Sequence, residues 1–177
     1  MRQSRLYTDQ PLQAGSRVEL DARAAHYVTQ VLRLRKGQSL TLFNGDGHDW
    51  SAELDYCGRR DCRVHVLEIL EAESLPRRAL HLAVGLSRGE RMDLVIQKAV
   101  ELGVTDITPL HTQRSVVQLD AERSAKRLSH WHGIVVSACE QSGRMRLPQL
   151  NPITDITVWL AAGHNGFMLD HRAKVSL

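Results

Sequence analysis

Residues 79–110 read ALHLAVGLSRGERMDLVIQKAVELGVTDITPL. The run ALHLAVGL is almost continuously apolar, as a strand buried on both faces of a parallel sheet must be. In ERMDLVIQKAVELG, Met92, Val95, Ile96 and Ala99 return at helical spacing, which predicts an amphipathic helix stopped by Gly103. VTDITPL is strand-like again. Strand, helix and strand in that order form a βαβ unit, so a parallel sheet with a right-handed crossover is expected.

Downstream, LDAERSAKRLSHWHGIVVSACEQSG predicts a long helix capped by Asp120, with Leu128, Trp131, Val135, Ala138 and Ser142 along one stripe. NGFMLDH reads as a further strand, after a short helix within ITDITVWLAA. Upstream the pattern changes. EAESLPRR, residues 71–78, is polar, contains Pro76 and reads as a linker. Before it come short strands: the alternating SRVEL, a hairpin turning at NGDG and another turning at GRRD. One helix interrupts them, DARAAHYVTQVLRLRKG, with Asp21 as N-cap, Ala25, Val28, Val31 and Leu32 on one face, and Gly37 at its end. The expected architecture is a small β-barrel over residues 1–72 followed by an α/β domain over 73–177.

The bulk numbers agree with a globular protein: 177 residues, 42% apolar and 24% charged. No apolar run approaches the ~20 residues of a membrane helix, and MRQSRLYTDQPL lacks the apolar core of a signal peptide. A cytoplasmic protein with no membrane partner is expected. The three cysteines fit neither a disulfide framework nor a paired metal motif. Cys57 and Cys62 flank GRRD, where they can face each other across the hairpin, and thiols are expected. The net charge is +3, carried by residues 73–177, since residues 1–72 balance ten basic against ten acidic side chains. Most basic residues are arginines, which suit bidentate phosphate contacts but also serve as solvated surface charge.

Familiar phosphate and zinc motifs are missing. There is no Gly-x-Gly-x-x-Gly after a strand, no P-loop and no His-Glu-x-x-His, and GLSRGER has the wrong spacing for either phosphate loop. His130 and His132 are two apart and point to different helix faces, so no metal site is expected. The distinctive stretch is CEQSGRMRLP, residues 139–148, which gathers Glu140, Gln141 and Arg144 at a helix end. It reads equally as a surface helix end with charges suited to the dipole. Arg114 follows a strand end, where open α/β sheets place ligands; it also reads as an ordinary loop arginine.

Three segments, HYVTQVLRLRKGQSLTLFNGDG, LSRGERMDLVIQKAVELGVTDITPLHTQRS and WHGIVVSACEQSGRMRLPQL, together resemble the ribosomal RNA small subunit methyltransferase E family. The resemblance implies an N-terminal PUA-like barrel that binds RNA and a SPOUT-type α/β domain tied in a C-terminal trefoil knot. It implies S-adenosylmethionine as methyl donor, N3 of one uridine in 16S rRNA of the small ribosomal subunit as acceptor, and a homodimer. The family pattern continues past MLDHRAKVSL through a GPEGG-type loop, so the knot and most of the donor pocket are expected beyond residue 177. The alternative is an RNA-binding fragment without catalysis.

The same resemblance proposes site residues. Arg114 or Arg144 would stabilise the uracil anion, and Glu140 or Gln141 would orient the RNA. Arg5, Arg33 and Arg35 would contact the rRNA backbone, and Leu169, Asp170 and His171 would border the methyl donor. Lys98 and Glu101 read as solvent-facing partners or interface residues.

Overall fold

The computed structural model describes residues 4–58, 61–113 and 120–169. The N-terminal sheet has five strands in the spatial order β1-β3-β4-β5-β2. They are β1 (Arg5–Tyr7), β2 (Arg17–Leu20), β3 (Ser39–Phe43), β4 (His48–Cys57) and β5 (Cys62–Ala72). β1 joins β3 in parallel; the other neighbours are antiparallel. Both predicted hairpins form. At the first turn Asn44 accepts from the Asp46 N–H and Asp46 from the His48 N–H, while Gly45 and Gly47 take positive φ. Alternation sends Val18, Leu20, Ala52, Leu54, Cys62, Val64 and Val66 inward onto Leu6, Leu40 and Leu42.

The helix of this half begins as expected. Asp21 caps α1 (Ala22–His26) by accepting from the Ala24 N–H at 2.7 Å. It does not run on to Gly37. A π-helical turn spans Tyr27–Val31, closed by the Leu32 N–H on the Tyr27 carbonyl. That widened turn breaks the 3.6-residue phase, so Val28 stays buried while Val31 is 57% exposed. The chain then leaves through Arg33 at φ +53°.

The second sheet is parallel. β6 (His81–Gly85) pairs with β7 (Asp106–His111), and β7 pairs with β8 (Gln149–Leu150) and, farther along, β9 (Thr154–Asp155). α2 (Glu90–Glu101) connects β6 to β7 as the sequence predicts. α2 and α3 (Ala121–Ser142) form a core in which Met92, Ile96 and Val100 meet Ile107, Trp131, Val135 and Cys139. Asp120 caps α3 through the Arg123 N–H, and Gly143 ends it in the left-handed conformation. Ser142, expected on the inward stripe, lies in the exposed last turn; Val136 and Cys139 are buried instead.

Two expectations change. The linker is anchored: β5 runs to Ala72, and the Glu73 carboxylate accepts from the N–H groups of Met145 and Arg146 at 2.6 and 2.9 Å. The strand expected in NGFMLDH is absent from its described part. Residues 163–169 follow α4 (Ile156–Ala161) without pairing, and Phe167, Met168 and Leu169 are more than 80% exposed. An apolar run becomes a strand only against a partner, and no described strand pairs with it. Among the described residues no helix is long and apolar enough to cross a membrane.

Candidate functional site

The CEQSGRMRLP stretch forms the joint between the two sheets. From β1, Arg5 sends Nε and Nη2 to the Asp49 carboxylate at 2.7–2.9 Å. Its Nη1 donates to the Cys139 carbonyl at 2.7 Å and Nη2 also to the Arg144 carbonyl at 2.8 Å. The guanidinium lies 3.8 Å from the Phe43 ring centroid, and Phe43 itself packs into the second core. Arg5 is only 11% exposed, so a phosphate contact there would require these bonds to open.

Glu140, placed on the last turns of α3, accepts from the Tyr7 backbone N–H at 3.0 Å and from Arg23 Nη2 at 2.9 Å. The Glu140 bond holds the Arg23 guanidinium above its ordinary pKa. Arg144 turns the other way. Its Nη1 donates to the Val100 and Val104 carbonyls at 3.1 and 2.7 Å, joining the Gly103 N–H on the Val100 carbonyl at the end of α2. Cys139 is buried beneath this network, and burial pushes its thiol up to about 11 against the opposing pull of Arg144 and Arg5. Arg5, Glu140 and Arg144 are thus brought together, with their hydrogen-bonding groups directed at the protein's own backbone and side chains.

Arg33 and Arg35 stand apart from that joint. With Lys36 they are exposed on the loop after the π turn. The Arg35 N–H donates to Gln38 Oε1 at 2.6 Å, and the left-handed Arg33 turns the chain. None of the three carries an ion pair among the described residues. Arg33, Arg35 and Lys36 thus put three exposed cations within four residues.

The carboxyl edge of the parallel sheet brings together His111 and Asp155. Asp155 Oδ1 accepts from the Thr157 N–H and Thr157 Oγ1 at 2.8 and 2.5 Å, and Oδ2 lies 3.8 Å from His111 Nδ1. Those Thr157 bonds, with a smaller pull from His111, hold the Asp155 carboxyl below its usual range. Arg114, three residues past His111, lies outside the described residues, as do Asp170 and His171. Leu169 is described and 81% exposed. Gln141 is exposed and lines a shallow α2–α3 groove with Gln97, His130, Ile134 and Ser137. Lys98 pairs with Glu101 at 2.7 Å on the surface of α2.

Sequence reading misses the partners that define the joint: Tyr7, Arg23, Asp49 and Glu73. No local signal marks them, because each meets its partner across 44 to 133 positions of chain. It also misses a ring cluster on the second sheet, where Trp159 and His164 stack at 4.1 Å and His81 meets Thr108 at 2.7 Å.

Comparison with known proteins places both halves. An RNA methyltransferase domain family matches residues 73–177, and an RNA methyltransferase PUA domain family matches residues 20–67. A ribosomal RNA small subunit methyltransferase E from Buchnera aphidicola (Schizaphis graminum) is 32% identical over 157 residues, covering 88% of this chain and 63% of the relative. The Bacillus subtilis protein of the same name is 28% identical, covering 81% of this chain and 56% of its own length. Among solved structures, a putative methyltransferase from Legionella pneumophila in complex with SAM superposes with a TM-score of 0.87 at 37% identity, over 91% of this chain and 66% of that one. Ribosomal RNA small subunit methyltransferase E from Neisseria gonorrhoeae, bound to S-adenosyl methionine, gives 0.84 at 37% identity, over 90% and 65%. The chain spans just under two thirds of these two structures. The N-terminal sheet is PUA-like, and the parallel sheet is that of these methyltransferases.

Proposed function

Because the chain belongs to the RNA methyltransferase family whose domain covers residues 73–177, we propose that it serves methylation of N3 of one uridine in 16S rRNA, with S-adenosylmethionine as donor. The observation that carries this reading is the pairing of two surfaces on one scaffold. An exposed basic loop, Arg33, Arg35 and Lys36, follows the helix of the PUA-like half, and bonds from Arg5, Tyr7 and Arg23 to Cys139, Glu140 and Arg144 tie that half to α3 and the turn after it. Such a scaffold can hold RNA by its backbone while presenting one base to the sheet's carboxyl edge.

The chemistry sets modest demands. Uridine N3 must lose its proton as the methyl group arrives, and the uracil then carries negative charge. S-adenosylmethionine supplies the methyl group on a sulfonium. The protein must position the base and stabilise the anion, which an arginine does by favouring the deprotonated form. Arg144 is engaged with the α2 carbonyls, so we assign that role to Arg114 on sequence grounds. Leu169, the one described member of the expected donor border, is exposed. Leu169, Asp170 and His171 are kept as the proposed border of the methyl donor. The proposed setting is the cytoplasm, acting as a homodimer on small ribosomal subunits.

The test joins the chain to a family-type C-terminal segment and incubates it with radiolabelled S-adenosylmethionine and undermethylated small subunits, followed by nucleoside mass analysis. The reading expects label in 16S rRNA as 3-methyluridine, with Arg114→Ala lowering the rate more than RNA affinity. Label at another position overturns the N3 assignment. Salt-sensitive RNA binding without label reduces the chain to an RNA-binding module.

A further inference from the structure

Cys57 and Cys62 close the paired part of the β4–β5 hairpin and are direct cross-strand partners. The Gly58 N–H donates to the Asp61 carbonyl at 2.8 Å, which makes 58/61 a hydrogen-bonded rung. The cysteines, one residue back, therefore occupy a non-hydrogen-bonded rung, where Cα atoms lie ~4.5 Å apart and side chains approach most closely. That separation falls within the ~4.4–6.8 Å that a disulfide spans. The two Sγ atoms are 3.1 Å apart, and both are free thiols. The Asp61 carboxylate and the Tyr56 hydroxyl fill the space beside Gly58 where a side chain would be. The pair is asymmetric: Cys57 is half-buried and Cys62 only 2% exposed.

We propose that Cys57 and Cys62 form a reversible redox site, a dithiol that a low-molecular-weight disulfide such as oxidised glutathione closes to an intramolecular disulfide. The more accessible Cys57, as thiolate, attacks one sulfur of glutathione disulfide. A Cys57–glutathione bond forms, and one glutathione thiolate leaves. Cys62 then gives up its proton and attacks the Cys57 sulfur, forming the Cys57–Cys62 bond and expelling the second glutathione. Two protein thiols are oxidised and one glutathione disulfide is reduced to two thiols, which take up the two protons. Burial, then the bond to Cys57, pushes the Cys62 thiol up to about 12, which keeps it protonated and leaves the first attack to Cys57. In the second, intramolecular step the short distance to the Cys57 sulfur offsets the small thiolate fraction. The strands already hold the sulfurs in reach, so closure needs only side-chain rotation.

The whole chain is treated with oxidised glutathione, denatured, alkylated and weighed. The expected result is loss of two of the three alkylatable thiols together, restored by dithiothreitol, with Cys139 still alkylated. Trypsin cuts between the cysteines at Arg59 and Arg60, so their two peptides should remain joined until reduced. Cys62→Ala should accumulate the glutathione adduct on Cys57, and Cys57→Ser should leave Cys62 reduced. The untreated-against-oxidised mass of the unsubstituted chain decides the matter even if a variant misfolds. Three alkylatable thiols after prolonged treatment overturn the proposal. So does a bridge to Cys139, or a disulfide joining two chains.

Discussion

Arg5 shows how far a residue's role can lie from its sequence neighbourhood. Its partners are 44, 134 and 139 positions away, so no motif or periodicity reports them. Arg5→Ala leaves the nearly buried Asp49 without its cation and should lower stability by about 3–5 kcal/mol in denaturant melts; Arg5→Met with Asp49→Leu should recover much of that. Asp21 and Asp120, by contrast, are legible because a cap acts three residues away, directly ahead of a helical period. Glu140 and Arg144 are legible as a distinctive cluster, but their partners appear only when the strands are assembled. Cys139 adds a pH dependence. Its folded thiol titrates near 11 and its unperturbed value is 9.0, so the neutral thiol is favoured in the native state. That contribution is fully present below pH 9.0 and is lost as pH rises through about 11. Cys139→Ala should flatten this part of the stability profile in alkaline melts, although its midpoint at neutral pH will fall.

At the scale of elements, the signals that succeed are those with enough residues to show a period. The βαβ unit, the long α3 and both hairpins qualify. β1, β8 and β9 have three, two and two residues, too few for any alternation to show, and exist because a neighbouring strand accepts them. The π turn fails for another reason: Val31 and Leu32 continue the apolar spacing, but the wider turn changes the phase. Turn glycines give an element-scale test. Gly15 has φ +80° and open space beside it, so Gly15→Ala should cost about 1 kcal/mol of backbone strain alone. Gly47 has φ +102°, and a Cβ there would collide with the Arg146 guanidinium that reaches the Glu73 carbonyl. Gly47→Ala should therefore be the more damaging change in thermal melts. An equal effect of the two would show that Arg146 moves aside freely.

Across the whole molecule, two halves with separate cores are fastened by charge-assisted bonds from Arg5 and Arg23 to the end of α3 and by Phe43, which belongs to a strand of one sheet and the core of the other half. The basic loop is thereby fixed relative to the parallel sheet, and this is the property that an RNA-modifying scaffold needs. If Arg33 and Arg35 neutralise phosphates, condensed counterions are released, and the logarithm of affinity should fall linearly with the logarithm of salt. Replacing both by alanine should reduce that slope by roughly 0.7–0.9 for each phosphate left without its arginine, weakening binding most at low salt. Stability should hardly change, because both side chains are exposed and neither forms an ion pair with described residues. The left-handed Arg33 even complicates the test usefully. Arg33→Gly removes the charge and relieves the backbone at φ +53°, so a glycine variant as stable as the parent yet equally weakened in binding isolates the charge from the fold. Fluorescence anisotropy with a labelled 16S rRNA fragment across a salt series measures the slope directly. An unchanged slope in the double variant would move the RNA-binding face away from this loop.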